Sequence, residues 1–166
     1  MRSVGVVMGS ASDASVMEGA VEALREFGVP TEVRVLSAHR TPDDALRFAR
    51  DARARGFGVL IAGAGKAAHL AGVLAAVTSL PVIGVPITSG GLGGLDALLA
   101  MVQMPPGVPV ATVAVDGARN AGLLAVRMLA LSDEGLSAAY DSFRDGMAEK
   151  VRLADTEIQA RYGDGS

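Results

Sequence analysis

Between Gly56 and Val115 the only formally charged side chains are Lys66 and Asp96. A stretch so poor in charge must be hidden from water, whether in a bilayer, in a folded core or against another chain. A membrane-spanning helix needs about 20 consecutive apolar residues. Pro81, Pro86 and the Gly-Gly pairs at 90–91 and 93–94 interrupt every candidate run. Buried strands and helices therefore fit better than a membrane segment. Helices without a charged face cannot all face water, and a chain of 166 residues has too little interior to hide them all. The pattern favours burial at contacts between copies of the chain, hence a homo-oligomer.

The rest of the chain alternates strand-like and helix-like stretches. Ser3–Met8 (SVGVVM) is a compact apolar run. GSASD follows as a turn, and a helical pattern runs to about Phe27, where Gly28-Val29-Pro30 stops it. Thr31–Leu36 alternates, with Val33 and Val35 against Glu32 and Arg34, as expected of a strand wetted on one side near a sheet edge. Thr41-Pro42-Asp43-Asp44 is a helix start: a capping threonine, a proline in the first turn and two acids at the positive dipole end. That helix is expected to end near Gly56. Val59–Ala62, Pro81–Val85 and Pro109–Val115 read as strands. Helices are expected over about Ala67–Val77, within GGLGGLDALLAMVQ, over Asn120–Leu131 and, as a long amphipathic C-terminal helix, over about 134–161.

Strands alternating with helices imply one α/β domain, 1–166, with a parallel sheet covered on both faces. With the second strand at the edge, the order is 2-1-3-4-5, a flavodoxin-like three-layer sandwich. Ligands of such sheets sit beyond the carboxyl ends of the strands, at the switch point between strands 1 and 3. Three loops meet there: Gly9–Asp13, Ser37–Thr41 and Gly63–His69. Both histidines of the chain, His39 and His69, lie in them.

The chemistry at that point is limited by composition. There is no cysteine, which excludes disulfides, thiolate metal sites and a cysteine nucleophile. A net charge of −3 without a basic run argues against nucleic acid as a partner. The N-terminal apolar stretch is too short for a secretory signal, so a cytoplasmic location is expected. GSASD offers Gly9 for a tight turn, the hydroxyls of Ser10 and Ser12 and the free N–H groups of a helix start. That set suits an anion such as phosphate, or serves only as a helix cap. Asp13 would repel phosphate but can accept bonds from sugar hydroxyls. Arg40 can grip phosphate through two parallel bonds, and His39 can move protons near neutrality. Gly63, Ala64 and Gly65 bring bare backbone close to a ligand, and Lys66 adds charge. His69 is either a ligand contact or a buried histidine at a helix start. The glycine spacing excludes a Walker loop and a dinucleotide fingerprint, and no Gly-x-Ser-x-Gly elbow exists. Two histidines without a third ligand make no metal site. What remains is a phosphate pocket with one histidine acid/base, suited to proton transfer on a phosphorylated small molecule without a cofactor.

MGSASD, SAHRTP, GAGKAAHLAG and LDALLAMVQMPPGVPVATVAV resemble the catalytic PurE family of purine biosynthesis, from about Val4 to Ala148. The resemblance implies a flavodoxin-like fold, a homo-octamer and a reaction on an aminoimidazole ribonucleotide. In the mutase class, which SAHRTP and GAG-x-AAHL resemble, a carboxyl group moves from the exocyclic nitrogen N5 to ring carbon 4. In a sister class, carbon dioxide is added directly to that carbon. By the same resemblance His39 carries the proton, Ser10, Ser12 and Arg40 hold the phosphate with Ser37 beside them, and Asp13 holds ribose hydroxyls. Gly63, Ala64 and Gly65 close over the imidazole and carboxylate, with His69 nearby. Gln103-Met104-Pro105 is the candidate for a segment that crosses a subunit boundary. Two positions depart from the family: Lys66 stands where glycine is usual, and Ala71 where proline is usual. Direct carboxylation and a non-catalytic nucleotide-sensing module are the alternative readings.

Overall fold

A computed structural model describes residues 1–163; the last three positions of the expected domain, 164–166, lie outside the described residues. Five parallel strands form one sheet: β1 (Ser3–Met8), β2 (Thr31–Val35), β3 (Phe57–Gly65), β4 (Val82–Ile87) and β5 (Ala111–Thr112), in the order β2-β1-β3-β4-β5. The expected order is the observed one. β1 lies between β2 and β3, with Val6 opposite Val33 on one side and Ile61 on the other.

The helices are α1 (Ala14–Glu26), α2 (Pro42–Asp51), α3 (Leu70–Ala75), α4 (Leu95–Val102), α5 (Ala118–Ala130) and α6 (Glu134–Tyr162). They cover both sheet faces, and two apolar clusters mark the two interfaces. Val4, Val6, Val59, Ile61, Ile83 and Val85 pack with Met17, Leu24, Ala121 and Val126 of α1 and α5. On the opposite face Val7, Leu60, Ala62 and Val82 pack with Phe48, Leu70, Leu74 and Met101 of α2, α3 and α4. Alternate residues of each inner strand thus feed opposite cores, as the two-residue strand period requires. Buried on both faces, these strands read as unbroken apolar runs. No polar or charged residue is buried among the described residues.

Several bounds differ from those expected. β3 runs from Phe57 through Gly65 rather than over 59–62, so Gly63, Ala64 and Gly65 are strand residues paired with Val85, Pro86 and Ile87 of β4, not a loop. β5 keeps only two residues: Pro109 lacks an N–H for a ladder bond, and Asp116 turns the chain with φ of 56°. α3 starts at Leu70 instead of Ala67, because Lys66 takes φ of 53° and two tight turns follow it. α2 ends at Asp51, well before Gly56. The long C-terminal helix is present as expected; Asp133 caps it, its carboxylate accepting from the Leu136 N–H at 3.0 Å. No described helix is long and apolar enough to cross a membrane.

Candidate active site

The carboxyl ends of β1, β2, β3 and β4 open onto a cleft of about 500 Å³, within the size range of small-molecule sites. Its walls come from four loops rather than the three expected, since the turn after β4 contributes Ser89.

The turn after β1 is organised by its own side chains. Ser10 Oγ accepts from the Ser12 N–H at 3.3 Å and from the Ser12 hydroxyl at 2.9 Å. The Asp13 carboxylate accepts from the Ser10 N–H at 3.1 Å. This is a reciprocal cap, so the capping reading of GSASD holds. The same residues also line the cleft: Gly9, Ser10, Ser12 and Asp13 all border it. The cap holds the hydroxyls in place at the cleft wall.

The turn after β2 is built around Ser37. Its hydroxyl accepts from the Arg40 N–H at 3.1 Å and, at 3.4 Å, from the His39 N–H and from Arg40 Nε. Thr41 sits at the cap position of α2, yet its hydroxyl does not cap the helix. It accepts from the Ser37 N–H at 3.0 Å and donates to the Ser37 carbonyl at 3.3 Å. The Thr41 N–H bonds the same carbonyl at 2.9 Å. SAHRT is therefore a closed loop, and it presents His39 and Arg40 outward from a fixed base.

Those two neighbours attach to different elements. Arg40 Nη2 donates to the Gly9 carbonyl at 2.7 Å, which ties the β2 turn to the β1 turn. His39 Nε2 lies 2.9 Å from His69 Nδ1, with the two rings nearly perpendicular at 84°, so one ring donates and the other accepts. Among the described residues, no group of three or more ligating side chains could hold a metal around this pair.

The end of β3 forms the floor. Ala64, Gly65, Lys66, Ala67 and Leu70 line the cleft with Ala38 opposite, so an apolar base lies beneath a polar rim. A Cβ on Gly65 would sit 2.5 Å from Ser89 Oγ. Only a bare α-carbon lets the serine hydroxyl lie beside the strand. Gly63 does not border the cleft. Its carbonyl accepts from the Gly9 N–H at 3.1 Å, and a Cβ there would meet Met17 Sδ at 2.3 Å. It serves the packing beneath the site. His69 does not border the cleft either; it reaches the site through the ring of His39. The other residues expected at the site, Ser10, Ser12, Asp13, Ser37, His39, Arg40, Ala64, Gly65 and Lys66, all line the cleft. Ser89 was the omission. Its signal was available, because it follows β4 at the same edge of the sheet.

The arrangement can bind an anion at the Gly9–Asp13 and Arg40 wall, pack a flat apolar group on the β3 floor and move a proton through His39. Residues 3–150 match the protein family described as AIR carboxylase. The chain is 58% identical over 96% of its length, and 94% of the relative's, to the N5-carboxyaminoimidazole ribonucleotide mutase of Mycobacterium leprae. It is 54% identical over 91% of its length, and 96% of the relative's, to the mutase of the same description from Saccharolobus solfataricus. The crystal structure of Treponema denticola PurE superposes with a TM-score of 0.86 at 27% identity, covering 94% of this chain and 98% of that one.

Proposed function

Because the chain belongs to the AIR carboxylase family, we propose that it is an N5-carboxyaminoimidazole ribonucleotide mutase of purine biosynthesis, working through the cleft at the carboxyl ends of β1–β4. Residues 1–166 act in this reading as one catalytic domain. The observation that carries it is the split attachment of His39 and Arg40: Arg40 is tied to the Gly9 carbonyl and His39 to the His69 ring. A phosphate taken by Arg40, Ser10 and Ser12 therefore leaves the far end of the same molecule within the reach of His39. Asp13 stands beside them as an acceptor for ribose hydroxyls.

The proton count suits a single acid/base. Cleavage of the N5–carboxyl bond releases carbon dioxide, and N5 takes up a proton. The electron-rich ring then forms a bond from carbon 4 to carbon dioxide, leaving that carbon with one hydrogen too many. A base removes it and restores the aromatic ring. One proton is given and one is taken back, so His39 can serve both steps. The apolar floor of Ala64, Ala67 and Leu70 keeps carbon dioxide beside the ring, which avoids the entropy of a second encounter. The reaction needs no cofactor.

The reading includes a homo-octamer in the cytoplasm, acting on a free small ribonucleotide. An apolar stripe on α4 and the turn before it supports assembly: Leu92, Leu95, Leu99 and Val102 are 66%, 54%, 46% and 51% exposed. Gln103-Met104-Pro105, directly after that stripe, remains the candidate for a segment lent to a neighbouring site.

The test is an absorbance assay with N5-carboxyaminoimidazole ribonucleotide, without bicarbonate or ATP, comparing the wild type with His39→Asn. The expected result is conversion to the carbon-4 isomer by the wild type, with a loss of about 10²–10⁴-fold in the variant. No conversion, with turnover of aminoimidazole ribonucleotide once bicarbonate is added, would assign direct carboxylation instead. Ligand binding without turnover in either assay would assign a sensor.

A further inference from the structure

Among the described residues, two other than glycine adopt positive φ: Lys66 at 53° and Asp116 at 56°. A glycine takes this conformation freely, whereas an L side chain takes it at a steric cost. Asp116 has a local reason, because its Oδ1 accepts from the Thr88 N–H at 2.8 Å and short polar side chains tolerate this region. Lys66 has none. Among the described residues its ammonium forms no ion pair and no side-chain hydrogen bond, yet the residue lines the cleft. Its stem runs toward the turn after β4, since a Cβ on Gly90 would lie 3.6 Å from Lys66 Cε. Ser89, on the same turn, also lines the cleft.

The cleft thus has two basic side chains on two different walls. Arg40 is held at the ends of β2 and β1 through Gly9 and Ser37. Lys66 stands at the end of β3, facing the turn after β4. From β1 to β4 is two strand spacings, roughly 10 Å. A ligand that pairs with both cations carries an anionic group toward each wall. Arg40 has the phosphate; the second cation has no partner within the protein.

We propose that Lys66, with the Ser89 hydroxyl beside it, binds the carboxylate of the ribonucleotide. The inference rests on the mutase reading, in which both interconverted ribonucleotides carry a carboxyl group, on N5 or on carbon 4. The aminoimidazole ribonucleotide formed between them carries none. An ammonium attracts the carboxylate of the two end states and gains little from neutral carbon dioxide. Its contribution therefore falls on ground-state binding rather than on the transition state.

The experiment compares wild type, Lys66→Gly and Lys66→Arg. Glycine removes the charge and suits the backbone, so this variant is expected to fold as well as the wild type. Affinities for the carbon-4-carboxylated ribonucleotide and for uncarboxylated aminoimidazole ribonucleotide are measured by titration calorimetry, and KM and kcat for the isomerisation by absorbance. Lys66→Gly should lose about ten-fold in affinity for the carboxylated ligand, stay within about two-fold for the uncarboxylated one, and show a raised KM without a lowered kcat. Lys66→Arg should restore most of the discrimination. Equal affinity changes for both ligands, or a fall in kcat at constant KM, would overturn the inference. A wild type that isomerises while Lys66→Gly matches it in every constant removes this inference and leaves the mutase reading intact. A wild type that neither binds nor isomerises removes both.

Discussion

His39 Nε2 and His69 Nδ1 meet at 2.9 Å although 30 positions separate them in the chain. The bond needs one bare ring nitrogen and one N–H, so the tautomer of each ring depends on the other. In the proposed reaction His39 exchanges the proton and His69 orients its ring. His69→Ala is expected to lower kcat by the worth of one such bond, about 1 kcal/mol or roughly five-fold. His39→Asn should cost far more. Stopped-flow or steady-state absorbance rates for the two variants separate the roles. Equal losses would make His69 a proton carrier in its own right.

Thr41 gives a second test. Its hydroxyl makes two of the bonds that close the loop onto Ser37, and the loop carries both His39 and Arg40. Thr41→Val keeps the shape and removes both bonds. Because the hydroxyl is exposed, stability should fall by only about 1 kcal/mol. Activity should fall more, since a loosened loop misplaces two functional side chains at once. Thr41→Ser should restore both. Urea denaturation and kcat/KM, measured on the same preparations, give the comparison. Loss of stability in proportion to loss of activity would reduce Thr41 to a general structural residue.

Gly63 should report on packing rather than chemistry. A methyl group there would sit 2.3 Å from Met17 Sδ in a fully buried region. Gly63→Ala is expected to destabilise by about 1–3 kcal/mol through overpacking. Met17→Ala in the same chain should recover part of it, because the two sites share one space. Denaturant midpoints of the four members of the cycle check this. Additive effects would show that the strand shifts to accept the methyl group instead.

The α4 stripe makes a prediction about assembly. Leu95 and Leu99 are 54% and 46% exposed on successive turns. If this face is covered by another copy, Leu95→Glu with Leu99→Glu places charges in that contact and lowers the mass measured by light scattering. An unchanged mass would move the interface elsewhere.

The order of strands and helices was legible because it rests on local periodicity. The apolar runs in β1, β3 and β4 and the wetted alternation in β2 record how many faces each strand buries. From that order the meeting of the loops after β1, β2 and β3 followed by topology alone. The limits of the elements were less legible. The GAG of residues 63–65 looks like a loop, yet it continues β3, because β4 runs alongside and pairs with all three residues. Thr41 looks like a cap, and in the folded chain its hydroxyl has a better partner in Ser37.

Burial patterns and chain connectivity leave one economical arrangement, so fold class, sheet order and most residues at the sheet's carboxyl edge are legible from local pattern. Which of those residues touch the cleft depends on contacts that form only in the folded chain. The His39–His69 contact, the Arg40–Gly9 bond, the entry of Ser89 and the retreat of Gly63 into packing each join segments distant in the chain. Such contacts depend on ångström-scale separations between elements, and those are set by side-chain packing across the whole core rather than by any local pattern.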